Sequence, residues 1–179
     1  RRAVSATPDL RRLGRALVGG RRQSGLAAAR LLRRAGTEVI GFDDRPLPAD
    51  RLGELGADPA FRLLGRDAPQ TLPEGVEAVI ASPGVPAGRP LLAAARERGI
   101  PVVAEVELAW QHLRGKVVAI TGSNGKSTTT ALAGALLAAT GEPVAVCGNI
   151  GLPLSACVEP AAAPPGRLFV VELSSFQLE

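Results

Sequence analysis

The chain has 179 residues, 46% of them hydrophobic and 21% charged, which is enough to bury a core and is the composition of an ordinary α/β protein. Its formal charge of +4 does not build a nucleic-acid surface: aromatic residues make up only 3%, and the arginines, nineteen of the 21 basic residues, are scattered rather than aligned on one periodic face. Two cysteines, Cys147 and Cys157, exclude a disulfide framework or a cysteine metal cage and read as small core residues.

No apolar stretch follows the early arginines as a signal peptide requires, and no run approaches the ~20 apolar residues that span a bilayer. Membrane insertion is therefore not expected, and the expected compartment is the cytoplasm. The doublets Arg1-Arg2, Arg11-Arg12 and Arg33-Arg34 read as solvated surface.

Short apolar runs alternate with alanine- and leucine-rich stretches, the pattern of βα units around a parallel sheet. In chain order the reading is strand 16–19, helix 24–35, strand 38–42, strand 78–81, helix 90–98, strand 101–103, helix 105–113, strand 117–121, helix 126–139, strand 144–147 and strand 168–172. Residues 46–75 are too rich in proline, glycine and acid for a firm assignment. The pattern restarts near Arg114-Gly115, where a helix ends and a fresh strand runs into a glycine-rich turn. Residues 1–113 are thus expected to form a Rossmann-like α/β domain with a parallel sheet. Residues 114–179 are expected to begin a second α/β domain whose strand–turn–helix start is of the P-loop type, cut short after two or three βα units. The absence of methionine, even at position 1, and an end at Glu179 inside a motif-like run imply a fragment.

The clearest chemistry lies in Thr121-Gly122-Ser123-Asn124-Gly125-Lys126-Ser127-Thr128, which follows an apolar strand and opens a helix. Glycines 122 and 125 let the backbone turn its N–H groups toward an anion, and the helix N-terminus adds a favourable dipole. Lys126 is placed to neutralise β/γ-phosphates and the Ser127 hydroxyl to ligate Mg²⁺. Ile120 stands where the common form of this loop has its first glycine, so this is a shorter variant, Gly-x-x-Gly-Lys-Ser.

The first βα turn reads Gly19-Gly20-Arg21-Arg22-Gln23-Ser24-Gly25, and Asp43 ends the next strand about 20 residues on, as in dinucleotide-binding folds. Arg22 replaces the middle glycine of that fingerprint and would crowd a closely approaching pyrophosphate, which argues against a standard NAD site. Asp43, Asp44 and Arg45 form a candidate nucleoside end, carboxylates for ribose hydroxyls beside a planar donor fork, or else an exposed polar turn before Pro46. Ser82-Pro83-Gly84-Val85 and Asn149-Ile150-Gly151 also sit at carboxyl ends of strands, where ligands bind in open α/β sheets; each alone is a weak signal. His112, the only histidine, reads as a surface or packing residue.

Together these segments resemble the Mur ligases, within them the D-glutamate-adding branch. The 121–128 loop resembles the ATP loop of the whole family. Gly148-Asn149-Ile150-Gly151-Leu152-Pro153, Glu172-Leu173-Ser174-Ser175-Phe176-Gln177-Leu178-Glu179, Ala81-Ser82-Pro83-Gly84 and Glu105-Val106-Glu107-Leu108 are similar to motifs of that branch, in the same order. The resemblance implies three domains, for the UDP-sugar, for ATP, and for the incoming amino acid, of which only the first and the start of the second are here. It implies that Gln23, Ser24, Asp43, Asp44, Arg45, Ser82 and Gly84 line a UDP-sugar site, with Asn149 at the sugar-peptide end. Gly122, Ser123, Asn124, Gly125, Lys126, Ser127 and Thr128 would bind ATP, Glu172 and Ser127 would hold Mg²⁺, and Lys126, Ser127 and Glu172 would be the catalytic set. A modified lysine and a metal-binding histidine would lie beyond Glu179.

The implied activity is an ATP-dependent acid–amino-acid ligase joining D-glutamate to UDP-N-acetylmuramoyl-L-alanine in cytoplasmic peptidoglycan synthesis, as a monomer, with this stretch alone inactive. The alternatives are a sister ligase or folylpolyglutamate synthetase, a non-catalytic UDP-sugar binding module, and an NAD-dependent oxidoreductase. The run 172–179 decides between the D-glutamate-adding reading and the first of these, and Arg22 with the second phosphate loop disfavours the last.

Overall fold

The computed structural model describes residues 8–20, 23–43, 48–64, 71–86, 88–158 and 166–177. Its elements in chain order are β1 (Arg15–Gly19), α1 (Gln23–Arg34), β2 (Glu38–Phe42), α2 (Ala49–Leu52), β3 (Phe61–Leu64), β4 (Ala78–Ala81), α3 (Pro90–Glu97), β5 (Val102–Ala104) and α4 (Glu105–His112). They continue as β6 (Lys116–Ile120), α5 (Lys126–Ala138), β7 (Val144–Gly148), α6 (Leu154–Cys157) and β8 (Leu168–Glu172). One sheet has the order β3-β2-β1-β4-β5 and the other β6-β8-β7, and every pairing is parallel.

The first sheet is covered on both faces, which is why its strands read as continuous apolar runs. Successive residues point to opposite faces. Ala16, Val18, Val39, Ala78 and Ile80 pack with α1 and α4, while Leu17, Ile40 and Val79 pack with Leu91, Leu92 and Ala95 of α3. Helix α1 buries Ala28, Ala29, Leu31 and Leu32 and leaves Gln23 and Arg30 in solvent. At its end the Arg33 guanidinium donates to both carboxylate oxygens of Asp58 at 2.7 and 3.0 Å, and that hydrogen bonding holds the Asp58 carboxyl below its usual value.

The stretch 46–75 contains more order than its composition suggests. Besides α2 and a 3₁₀ turn at Gly53–Ala57, it supplies the edge strand β3, which pairs with β2. That strand is four residues long, carries Arg62 toward solvent and is only half-buried, so the period-2 signal is faint.

The two sheets share an apolar layer. The α1/α4 side of the first sheet runs on into Cys147, Leu154, Val158, Phe169 and Val171, with α6 packed against both α1 and α4. Arg34 adds a hydrogen bond to the Val158 carbonyl at 3.2 Å. The amino-terminal segment is fastened to α4 by Gln111, which accepts from the Leu10 amide at 2.7 Å and donates to the Pro8 carbonyl at 3.0 Å. On the α5 side of the second sheet Val118, Leu132, Leu136 and Val146 remain exposed.

Cys147 is fully buried, and its thiol is pushed up by a hydrogen bond with Cys157 and by burial, as suits a core residue rather than a nucleophile. His112 is half-buried and donates from Nδ1 to the Leu108 carbonyl one turn back, at 2.9 Å.

Leu108 is fully buried in the layer that joins the sheets. Leu108→Ala is expected to destabilise the chain by about 2–5 kcal/mol. Because the core is shared, denaturant titration should show a lower midpoint for one transition rather than a new partly unfolded plateau.

Candidate functional site

Two loci carry the candidate residues, each at carboxyl ends of parallel strands. The first lies where the strand order reverses, between β1 and β4, the position at which open α/β sheets leave a crevice. The chain leaves β1 through Gly20, whose φ of 95° suits glycine and whose amide donates to the Phe42 carbonyl at 3.1 Å. A Cβ on Gly25 would stand 1.6 Å from the Gly20 carbonyl oxygen, so the turn closes on the first turn of α1 with no room for a side chain. From the neighbouring strand the Ser82 amide donates to the Gly19 carbonyl at 3.2 Å. The Ser82 hydroxyl lies against the same turn, buried and without a hydrogen-bond partner in the structure.

On the other side of this turn a crevice lined by Gly20, Gly25, Leu26, Phe42, Asp43 and Phe61 opens between α1 and the strands β2 and β3. Asp43 is half-buried at the end of β2, Ser24 half-buried, and Gln23 and Gly84 exposed. Arg22, Asp44 and Arg45 lie outside the described residues. Arg89 was not singled out in the sequence; its guanidinium carbon stands 5.4 Å from the centre of the Phe42 ring, a cation–π contact beside the crevice. Nothing in the sequence distinguishes this arginine from the others.

The second locus is the loop between β6 and α5. Gly125 adopts the left-handed conformation, φ 73°, as the residue before the helix, and no side chain caps α5. The first helical bond runs from the Thr129 amide to the Gly125 carbonyl at 2.9 Å, so the amides of Lys126, Ser127 and Thr128 precede the helical ladder. The Lys126 ammonium turns back across the loop and donates to the carbonyls of Gly122 at 2.6 Å and Ser123 at 3.3 Å. Helix dipole, uncapped amides and cation thus converge on one exposed loop, the arrangement that takes a phosphate chain.

Beside it β8 ends in Glu172, paired in register with Ile120 of β6 and Gly148 of β7. Glu172 is almost wholly buried. Asn149 donates to Glu172 twice, from its amide to the Glu172 carbonyl at 2.9 Å and from Nδ2 to Oε1 at 2.8 Å. Glu172 Oε2 has no hydrogen-bond partner. A buried carboxylate with one oxygen held and the other open fits a divalent cation. Among the described residues no cluster of three or more histidine, cysteine or acidic side chains forms a cage. A cation here would therefore draw most of its ligands from phosphate and water, as Mg²⁺ does. Sequence reasoning put Asn149 and Glu172 in different roles; the structure brings them together.

No family model matches the chain. Curated relatives do. A UDP-N-acetylmuramoylalanine–D-glutamate ligase of Anaeromyxobacter dehalogenans (strain 2CP-C) is 51% identical over 180 residues, covering 97% of this chain and 37% of the relative. Proteins of the same name from Synechococcus sp. (strain JA-2-3B'a(2-13)) and Geobacillus kaustophilus (strain HTA426) are 50% identical over 163 residues and 44% identical over 169. They are covered over 33% and 36% of their length, for 87% and 92% of this chain. Over nearly all of its length the chain is similar to one part of these ligases.

It spans about a third of the length of these curated Mur ligases. Among solved structures, the UDP-N-acetylmuramate–alanine ligase of Thermotoga maritima shares the fold at a TM-score of 0.50 and 20% identity, over 91% of this chain and 37% of that one. A UDP-N-acetylmuramate:L-alanyl-γ-D-glutamyl-meso-diaminopimelate ligase from Neisseria meningitides does so at 0.52 and 16%, over 89% and 55%. Both support the α/β architecture of parallel sheets described above.

Gly25→Ala places a methyl group on the Gly20 carbonyl. It is expected to lower the unfolding free energy by about 1–3 kcal/mol, as overpacking does, and urea titration checks it.

Proposed function

We propose that this chain is the sugar-nucleotide-binding and ATP-binding part of a ligase that joins D-glutamate to UDP-N-acetylmuramoyl-L-alanine during peptidoglycan precursor synthesis. The observation that carries the reading is the pairing of an uncapped glycine loop, crossed by Lys126, with the buried, half-satisfied Glu172 next to it. One locus takes phosphates and the other a cation, and the names of the relatives supply the substrates. In this reading residues 1–113 hold the UDP-sugar, through Gln23, Ser24, Asp43, Asp44, Arg45, Ser82 and Gly84. Residues 114–179 begin the ATP domain. The compartment is the cytoplasm and the working unit a monomer.

The chemistry needs ATP because a carboxylate is a poor electrophile at neutral pH. A carboxylate oxygen of the alanyl group attacks the γ-phosphorus, the bond to ADP breaks, and an acyl phosphate forms. The amine of D-glutamate attacks the acyl carbon, phosphate leaves with the bonding pair, and the amine gives up a proton. No side-chain nucleophile is required. The loop amides and Lys126 hold the phosphates in line and offset the charge that spreads over the transferring group. Ser127 and Glu172 would hold Mg²⁺, which supplies further charge neutralisation on the phosphates when bound.

Asn149, assigned by resemblance to the sugar-peptide end, orients Glu172 in the free chain. Both roles are compatible, since the Asn149 backbone anchors the loop whichever partner its side chain takes.

Calorimetric titration of the chain with Mg·ATP and with UDP-N-acetylmuramoyl-L-alanine tests the assignment. Lys126→Ala is expected to weaken Mg·ATP binding about ten- to a hundredfold, ~1.4–2.7 kcal/mol, and leave the UDP-sugar unaffected. Asp43→Ala is expected to do the reverse. Mg·ATP affinity unchanged by loss of Lys126 would remove the phosphate role from this loop.

A further inference from the structure

Glu105 opens α4 directly after β5, at 2% exposure one of the most buried charged residues among those described. Burial pushes its carboxyl up, and hydrogen bonding from Ser155 pulls it down only in part. Taking a carboxylate out of water costs several kcal/mol, and an apolar side chain would pack this core at least as well, so a buried glutamate calls for a geometric reason.

Its contact supplies one. Glu105 Oε1 accepts from the Ser155 amide at 2.6 Å, in the first turn of α6 and fifty positions along the chain. The segment just before α6 is the loop 148–153, which presents Asn149. That loop is closed on itself by the Gly148 amide donating to the Leu152 carbonyl at 2.8 Å, and its near end is fixed to β8 by the Asn149 amide. Its far end passes through Pro153, buried, into Leu154 and Ser155, where Glu105 holds it. The Asn149 side chain in turn holds Glu172 Oε1. A carboxylate at the start of α4, directly after the first sheet's β5, thus ends a short chain of contacts that leads, through one loop, to the Glu172 carboxylate.

We propose that Glu105 is a positioning residue: by accepting from the Ser155 amide it fixes the far end of the Asn149 loop, and so the aim of Glu172, tying the first sheet to the nucleotide locus. The inference rests on the ligase reading for its ligands but not for its geometry. Neither Glu105 nor Ser155 belongs to the loop before α5 or to the crevice beside Gly20.

The test compares wild type, Glu105→Ala and Glu105→Gln on the whole chain, with two readouts. One is affinity for Mg·ATP and for UDP, which lacks the sugar-peptide end that Asn149 would meet; the other is the NMR signal and hydrogen exchange of the Asn149 side-chain amide and the Ser155 backbone amide without ligand. Glu105→Ala is expected to weaken Mg·ATP binding about tenfold, speed exchange at both amides and leave UDP affinity unchanged, which also shows that the variant is folded. Glu105→Gln keeps an acceptor oxygen and is expected to restore both readouts to within about threefold of wild type. Wild-type Asn149 signals and Mg·ATP affinity in Glu105→Ala would overturn the proposal. Equal loss of both ligands would also overturn it, by making Glu105 a general packing residue, as would a glutamine variant as impaired as alanine. If wild type bound no Mg·ATP, the ligase reading would fall, and the Asn149 and Ser155 amides would still decide the positioning role.

Discussion

The apolar layer between α1, α4 and α6 is the constraint on which the rest of the molecule depends. Helix α6 is four residues long and cannot stand alone, and a three-stranded sheet with one long helix buries too little to be stable by itself. Both are held because the first sheet offers the buried flank of α1 and α4, where Leu32 and Leu108 meet Leu154, Phe169 and Val171. The carboxyl ends of both sets of parallel strands are thereby carried on one body, one set ending in the Gly20 turn and the other in the phosphate loop and Glu172.

Two kinds of unsatisfied group mark the two proposed ligand loci, and they differ in character. At the loop before α5 the open groups are backbone amides ahead of the first helical bond, beside the Lys126 ammonium, which donates to loop carbonyls. At Ser82 and Glu172 they are buried side-chain oxygens, fixed by strands and with no room to turn toward water. Leaving such an atom unpaired costs about 1–3 kcal/mol, which a bound hydroxyl, phosphate or cation would recover. This is the sense in which stability is given up where a ligand is received.

Much of the fold was legible because the strands of the first sheet are buried on both faces and the glycines fall at the turns. The strand at 78–81 matches β4 residue for residue, and the helix at 126 begins at Lys126 because Gly125 must precede it in a left-handed conformation. The edge strand β3 was not legible, being short, half-buried and interrupted by Arg62. The glycine turn between β6 and α5 could be read because its signals are local, all within eight residues. The contacts that organise the remainder are not local: Asn149 with Glu172, Ser155 with Glu105 and Arg89 with Phe42 join residues far apart in sequence, and no spacing rule announces them.

The central claim is that one chain holds two separate ligand loci, one for a UDP-sugar and one for a metal–nucleotide. The most direct measurement is residue-resolved NMR mapping of the whole chain titrated with each ligand in turn. The account predicts that UDP-N-acetylmuramoyl-L-alanine shifts signals around Gly20, Ser24, Asp43 and Ser82. A magnesium complex of a non-hydrolysable ATP analogue should shift Gly122 through Thr128 and Glu172, each set saturating independently. Both ligands moving the same set, or the nucleotide leaving Gly122 through Thr128 unmoved, would contradict it.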